Sequence, residues 1–230
     1  MTHVSITDEL HDPALIGGVA AGGLTLQQER NLAFYSAAKR CLDVVGALVG
    51  ILLCLPLWII IAVAIKLDSR GPILFRQYRP GQYGVPFRIL KFRTMHQDAE
   101  ARLNEVLALN KQSDNSLIRL EHDPRVTSVG AILRSLSLDE TPQFINVLRG
   151  EMSLVGPRPI SCHIPDPRGL SRLVARPGLT GLWQVSGRKD TDCDFMLKKD
   201  MEYLERRCLT LDCSILLATL RAVIRRDGAR

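Results

Sequence analysis

The densest apolar block in the chain lies between Cys41 and Leu67, and from Val44 to Ile65 it contains no charged residue. As a helix that stretch is long enough to cross about 30 Å of hydrocarbon. Pro56 stands in its middle, where proline removes one backbone hydrogen bond and bends a helix. Both flanks are basic, with Lys39 and Arg40 before and Lys66, Arg70, Arg76 and Arg79 after. A single span should carry that signature at its cytoplasmic end only. A re-entrant helix that turns at Pro56 and returns to the same side satisfies both flanks. On the residues alone, the spanning and re-entrant readings both stand.

No second apolar run of spanning length follows. Ile73-Leu-Phe75 and Phe87-Arg-Ile-Leu90 bracket the turn-rich Arg79-Pro-Gly-Gln-Tyr-Gly-Val-Pro86, a pattern that predicts a β-hairpin. The alternation of polar and apolar positions predicts helices over 96–110, 126–136 and 142–149. A Pro/Gly-rich stretch from Val155 to Gly187 follows, with a short helix near 169–175. Near the end, Ile215, Leu216, Leu220, Val223 and Ile224 fall on one side of a helix and Arg221, Arg225 and Arg226 on the other. This amphipathic helix suits a membrane interface, and equally suits packing on a domain surface. The expected organisation is a flexible tail over 1–30, a membrane helix over 31–68 and one small catalytic domain over 69–230. The fold class is mixed α/β, mainly helical. The tail has no basic region leading into an apolar core, so it does not read as a secretory signal.

Composition narrows the partners. The formal net charge is +6, yet aromatic residues are only 5% and do not alternate with basic ones, which speaks against a base-stacking surface. Beside an apolar block, the charge fits anionic headgroups and phosphate better than nucleic acid. The six cysteines (Cys41, Cys54, Cys162, Cys193, Cys208 and Cys213) form no C-x-x-C pair and read as reduced, mostly buried thiols. The five histidines show no metal-binding spacing.

Neither a P-loop nor G-x-G-x-x-G is present. Arginines instead sit beside glycine or proline, at Arg79-Pro-Gly, Gly156-Pro-Arg158-Pro, Arg176-Pro-Gly and Gly187-Arg188. A tightly set backbone holds each guanidinium in place, and its planar fork suits phosphate. The most pointed local feature is Ser137-Leu-Asp-Glu-Thr-Pro-Gln143. Pro142 favours a helix start, which puts Asp139 and Glu140 at or before its first turn. One reading is structural, with Ser137 and Glu140 forming a capping box. The other is chemical: an ionised Asp139 attacking phosphorus, with magnesium offsetting the repulsion between anions.

Several longer stretches carry a resemblance. They are Lys39-Arg-Cys-Leu-Asp43, Leu90-Lys-Phe-Arg-Thr-Met95, Asp123-Pro-Arg-Val-Thr127, Leu133-Arg-Ser-Leu-Ser-Leu-Asp-Glu-Thr-Pro-Gln143, Asn146 through Pro159, and Arg176-Pro-Gly-Leu-Thr-Gly-Leu-Trp-Gln-Val-Ser-Gly-Arg188. In these the chain resembles the bacterial sugar transferases, monotopic polyprenyl-phosphate hexose-1-phosphate transferases that begin exopolysaccharide assembly. The resemblance implies a ping-pong phosphoryl transfer from a UDP-hexose to undecaprenyl phosphate, with release of UMP. Asp139 matches the nucleophile and Mg²⁺ ligand, and Glu140 its dyad partner. Lys91, Arg134, Arg158 and Arg188 match positions that contact phosphates or nucleotide. The resemblance also implies a re-entrant helix bent at Pro56, contact with membrane lipids and a catalytic domain at the cytoplasmic face of the bacterial inner membrane. It leaves homo-oligomerisation and the hexose open.

Three departures stand out. Thr141 occupies a position where the family usually has leucine or another apolar residue. Cys208-Leu209-Thr210 replaces a Trp-Ser or Leu-Ser pair. The region between Pro159 and Arg176 is short. Two other functions fit fewer residues: a glycosyltransferase releasing UDP, and a basic membrane-anchored scaffold. The second gives no reason for Asp139-Glu140 among fixed arginines.

Overall fold

The computed structural model describes residues 26–99, 123–159, 171–186 and 193–225. The tail up to residue 25, the expected 96–110 helix beyond residue 99, Cys162 and Arg188 lie outside the described residues.

The first element, α1, runs without interruption from Leu26 to Asp68, with Pro56 inside it. Its 43 residues give a length of about 65 Å at about 1.5 Å per residue, roughly twice a hydrocarbon core. It starts five residues before the boundary expected at 31. Val45, Leu48, Leu52, Leu53, Ile59, Ile60, Val63 and Leu67 are exposed, while Asp43, Ala47, Ile61 and Ile65 are buried. That buried line packs on the rest of the protein in both halves of the helix.

The hairpin forms as expected, from β1 (Leu74–Pro80) and β2 (Pro86–Phe92), antiparallel with Phe75 opposite Lys91. Helices α2 (Ser128–Ser135) and α3 (Gln143–Arg149) match the two short helices read from the sequence. A second, parallel pair joins β3 (Ser153–Val155) to β4 (Gly178–Thr180). Backbone contact there is close enough that a Cβ on Gly178 would lie 2.1 Å from the amide nitrogen of Gly156. Three helices complete the fold: α4 (Leu182–Ser186), α5 (Cys193–Arg206) and α6 (Leu209–Arg225). In the 169–175 region a 3₁₀ turn covers Arg172–Val174.

Two apolar clusters hold these pieces, and α1 contributes to both. Ala47 joins Phe87, Ile89, Val147, Met152, Leu154, Val155, Tyr203 and Ile215. Ile61 and Ile65 join Phe92 and Leu133, with Trp58, Ile73, Val129 and Leu138 packed around them. Polar contacts repeat the arrangement. In the first half of α1, Arg40 donates to the Val147 and Leu148 carbonyls at 2.7 Å each, the open end of α3. Asp43 accepts from the Leu154 amide and the Ser153 hydroxyl, both at 2.9 Å. At the far end, Asp68 accepts from the Val129 amide at the start of α2, at 3.2 Å. Fully buried Asp212 on α6 accepts from Tyr35 and Lys39 of α1 and from Tyr203 of α5, at 3.0, 3.0 and 2.8 Å. Both ends of the apolar helix therefore rest on the same domain.

One expectation is corrected. None of the five described cysteines is buried, because Cys41, Cys208 and Cys213 lie on outward faces and Cys54 and Cys193 are half-covered. The C-terminal amphipathic helix packs on the domain along one face and leaves apolar side chains exposed on the other. Ile215 and Asp212 are buried, whereas Leu217, Leu220, Val223 and Ile224 are exposed.

Candidate active site

The Ser137–Gln143 segment folds as a one-turn 3₁₀ helix, Leu138–Glu140, directly ahead of α3. Asp139 and Glu140 thus stand just before the first turn, as the position of Pro142 predicts. The capping box does not form. Ser137 adopts a left-handed backbone (φ 54°, ψ 24°) and makes no side-chain cap bond, because the chain reverses there between α2 and the 3₁₀ turn. Thr141 closes that turn instead. Its amide and its hydroxyl both donate to the Leu138 carbonyl, at 3.2 and 2.8 Å.

The two carboxylates live in different surroundings. Glu140 Oε1 receives Lys91 Nζ at 2.7 Å and Arg158 Nη2 at 3.2 Å. Lys91 is held by the β-hairpin and Arg158 by the loop after β3. Asp139, one residue earlier, forms no ion pair among the described residues. Burial pushes its pKa from 3.8 up to about 6, Glu140 adds repulsion, and the charges of Lys91 and Arg134 pull the other way. Arg134 is oriented by a bond from its Nε to Thr94 Oγ1 at 2.9 Å.

Three of the four arginine and lysine positions read from the sequence therefore converge on the dyad. Lys91 and Arg158 hold Glu140, and Arg134 lies on the Asp139 side. A cleft opens beside them, lined by Lys91, Glu140, Gln143, Arg158, Gly178 and Leu179. Arg158 is fixed from two further directions. Its guanidinium lies 5.7 Å from the centroid of the Trp183 ring, a cation–π contact. Its carbonyl accepts from Arg172 at 2.6 Å, and Arg172 pairs with buried Asp200 on α5.

Sequence reasoning missed Gln143, Trp183, Arg172 and Asp200. Gln143 and Trp183 lie within stretches that carry the resemblance, and Trp183 is one of only two tryptophans. Asp200 offers no such signal, since an aspartate in a charged segment reads as solvated.

Among the described residues, no three His, Cys, Asp or Glu side chains come together as a metal cage. A cation here would have Asp139 as its protein ligand and draw its other oxygens from phosphate and water. Magnesium favours that donor set, so the residues present fit it.

Residues 34–226 match the family model described as bacterial sugar transferase. The chain is 42% identical over 197 residues to the galactosyl transferase CpsE of Streptococcus agalactiae, covering 84% of this chain and 43% of CpsE. It is 40% identical over 198 residues to the exopolysaccharide production protein ExoY of Rhizobium meliloti, covering 84% of this chain and 88% of ExoY. Over 202 residues it is 43% identical to the UDP-glucose:undecaprenyl-phosphate glucose-1-phosphate transferase of Caulobacter vibrioides, covering 83% of this chain and 71% of that protein. It thus spans less than half of CpsE and nearly all of ExoY. With the match running from the first half of α1 to the end of α6, the chain belongs to the bacterial sugar transferase family.

Proposed function

We propose that this protein transfers hexose-1-phosphate from a UDP-hexose to undecaprenyl phosphate through a covalent intermediate on Asp139, releasing UMP. The reaction would open the assembly of an exopolysaccharide or a related glycan. The observation that carries this reading is the asymmetry of the dyad: Glu140 is held by two cations, while Asp139 carries no ion pair among the described residues. A nucleophile must be uncommitted, and its partner must be held.

In the first step an Asp139 oxygen bonds to the β-phosphorus of the UDP-hexose. The bond from that phosphorus to the bridging oxygen breaks, and UMP leaves with the oxygen and its electron pair. In the second step an oxygen of undecaprenyl phosphate attacks the same phosphorus. The bond to Asp139 breaks, the carboxylate is restored, and undecaprenyl diphosphate hexose is the product. Glu140 takes any proton that the lipid phosphate still carries. Lys91 and Arg158 shift part of their charge from Glu140 to the phosphate oxygens as the substrate enters, and Arg134 screens Asp139. Bound magnesium would supply the remaining charge neutralisation between carboxylate and diphosphate.

The membrane helix takes the re-entrant form in this proposal, bent at Pro56, with the catalytic domain at the cytoplasmic face. Contact of Arg40 and Asp68, on either side of the uncharged run, with one domain supports it, since a straight span would carry one of them away. Exposed leucines and isoleucines then meet lipid, and the dyad lies at a depth reachable from bilayer and cytosol alike.

The test is product analysis with membranes, Mg²⁺ and a panel of UDP-hexoses. UMP and a labelled phosphosugar adduct on the protein are expected, both lost in Asp139→Asn. Release of UDP would establish the glycosyltransferase instead, and no turnover with any UDP-hexose would remove the proposal.

A further inference from the structure

Trp58 sits on α1 two residues after Pro56. Its indole N–H donates to Thr141 Oγ1 at 2.9 Å, and the Thr141 hydroxyl in turn donates to the Leu138 carbonyl at 2.8 Å. Leu138 opens the three-residue turn that bears Asp139 and Glu140. On another side the Trp58 ring meets Phe92 edge-on, with centroids 6.2 Å apart and planes at 80°. Phe92 follows Lys91, whose ammonium holds Glu140. One side chain of the membrane helix therefore touches both the turn and the strand that frame the dyad.

Packing alone does not account for the contact. A tryptophan that only filled space would leave its N–H without a partner in a half-buried, apolar setting, an arrangement proteins avoid. The partner here is the hydroxyl of Thr141. Thr141 can serve Trp58 and Leu138 at once because a hydroxyl both accepts and donates. Leucine at that position would do neither.

We infer that Trp58 is a positioning residue which, through Thr141, fixes the Asp139–Glu140 turn to the membrane helix. The inference rests on the reading of Asp139 as the reacting carboxylate. Bending or tilting of α1 is then transmitted to the dyad through one hydrogen bond and one ring contact. Trp58→Phe keeps the ring and removes the N–H. Thr141→Val keeps the shape and removes the hydroxyl, and Thr141→Ser keeps the hydroxyl.

The experiment measures UMP release and amide hydrogen exchange on the full chain in nanodiscs. Trp58→Phe and Thr141→Val are each expected to lower kcat about tenfold, with KM for the UDP-hexose within about twofold. Thr141→Ser stays near wild type, and the Trp58→Phe/Thr141→Val double variant is no slower than the slower single one. Amides 138–141 exchange faster in both single variants, while those in the second half of α3 do not. An unchanged kcat, a loss confined to KM, or unchanged exchange at 138–141 in Trp58→Phe would each overturn the inference. If the wild type releases no UMP from any UDP-hexose, the proposed function fails, and the exchange comparison alone decides whether Trp58 holds the turn.

Discussion

Replacing Asp139 with asparagine removes the carboxylate proposed as the nucleophile, yet it should make the protein more stable. The side chain is pushed from a pKa of 3.8 to about 6, chiefly by burial and then by Glu140. At about 1.4 kcal/mol per pH unit, holding the charge at this site costs the native state about 3 kcal/mol. The carboxylate keeps some contact with solvent, so the recoverable part is about 1–2 kcal/mol. For a chain of this size that raises the melting temperature by about 2–8 °C. The dependence on pH has a definite sign. Below 3.8 aspartate is protonated in both folded and unfolded chains, and the cost is absent. Between 3.8 and about 6 the folded chain binds the extra proton, so the cost grows as pH rises, and above 6 it is complete. The gap between Asp139→Asn and wild type should therefore be widest at pH 7–8 and closed near pH 4. Melting in detergent micelles, followed by tryptophan emission, measures it. A variant that melts lower than wild type, or a gap that ignores pH, would show that Asp139 is not held at a cost.

Three further expectations follow from the same geometry. Adduct formation on Asp139 should decline as pH falls through about 6, because only the carboxylate attacks phosphorus; single-turnover UMP release from pH 8 to 5 reads this directly. Glu140→Gln should shift that acid limb to lower pH, since the repulsion that helps raise Asp139 is gone, while the freed Lys91 and Arg158 cost about 1 kcal/mol in a melt. Asp212→Leu leaves the Lys39 ammonium and two tyrosine hydroxyls without their shared partner, so unfolding should become easier by about 3 kcal/mol, with KM of the surviving enzyme unchanged.

The elements most legible in the sequence were those with a strong local signal. The hairpin announced itself through two prolines and two glycines between apolar triplets, and α1 through its uncharged run. Helix α5 left no such trace. Its core-facing positions are Met196, Leu197, Asp200 and Tyr203, so an aspartate interrupts the apolar stripe. The parallel pair β3–β4 is three residues long on each side and joins segments more than twenty residues apart, a pairing no local pattern encodes. In the site, Asp139, Glu140, Lys91 and Arg158 were legible through their motifs. What the motifs did not contain was the partnering. Lys91 and Arg158 were read as phosphate contacts, and the structure places both on Glu140. Thr141 looked like a mild departure until its hydroxyl was seen between Trp58 and Leu138.

The way α1 lies across the domain bears on how this protein can be handled and redesigned. Ala47 and Ile61 belong to the two interior clusters, so cutting the chain after residue 68 would remove one wall from each. A truncated catalytic half should not be obtainable as a water-soluble reagent, and a foreign anchor grafted in place of α1 should not restore it. The workable route to solubility is repainting: polar residues at Leu52, Leu53, Ile59, Ile60 and Val63, all on the outward side, with every inward position untouched. In this protein the inward face of the apolar helix is part of the domain's own interior.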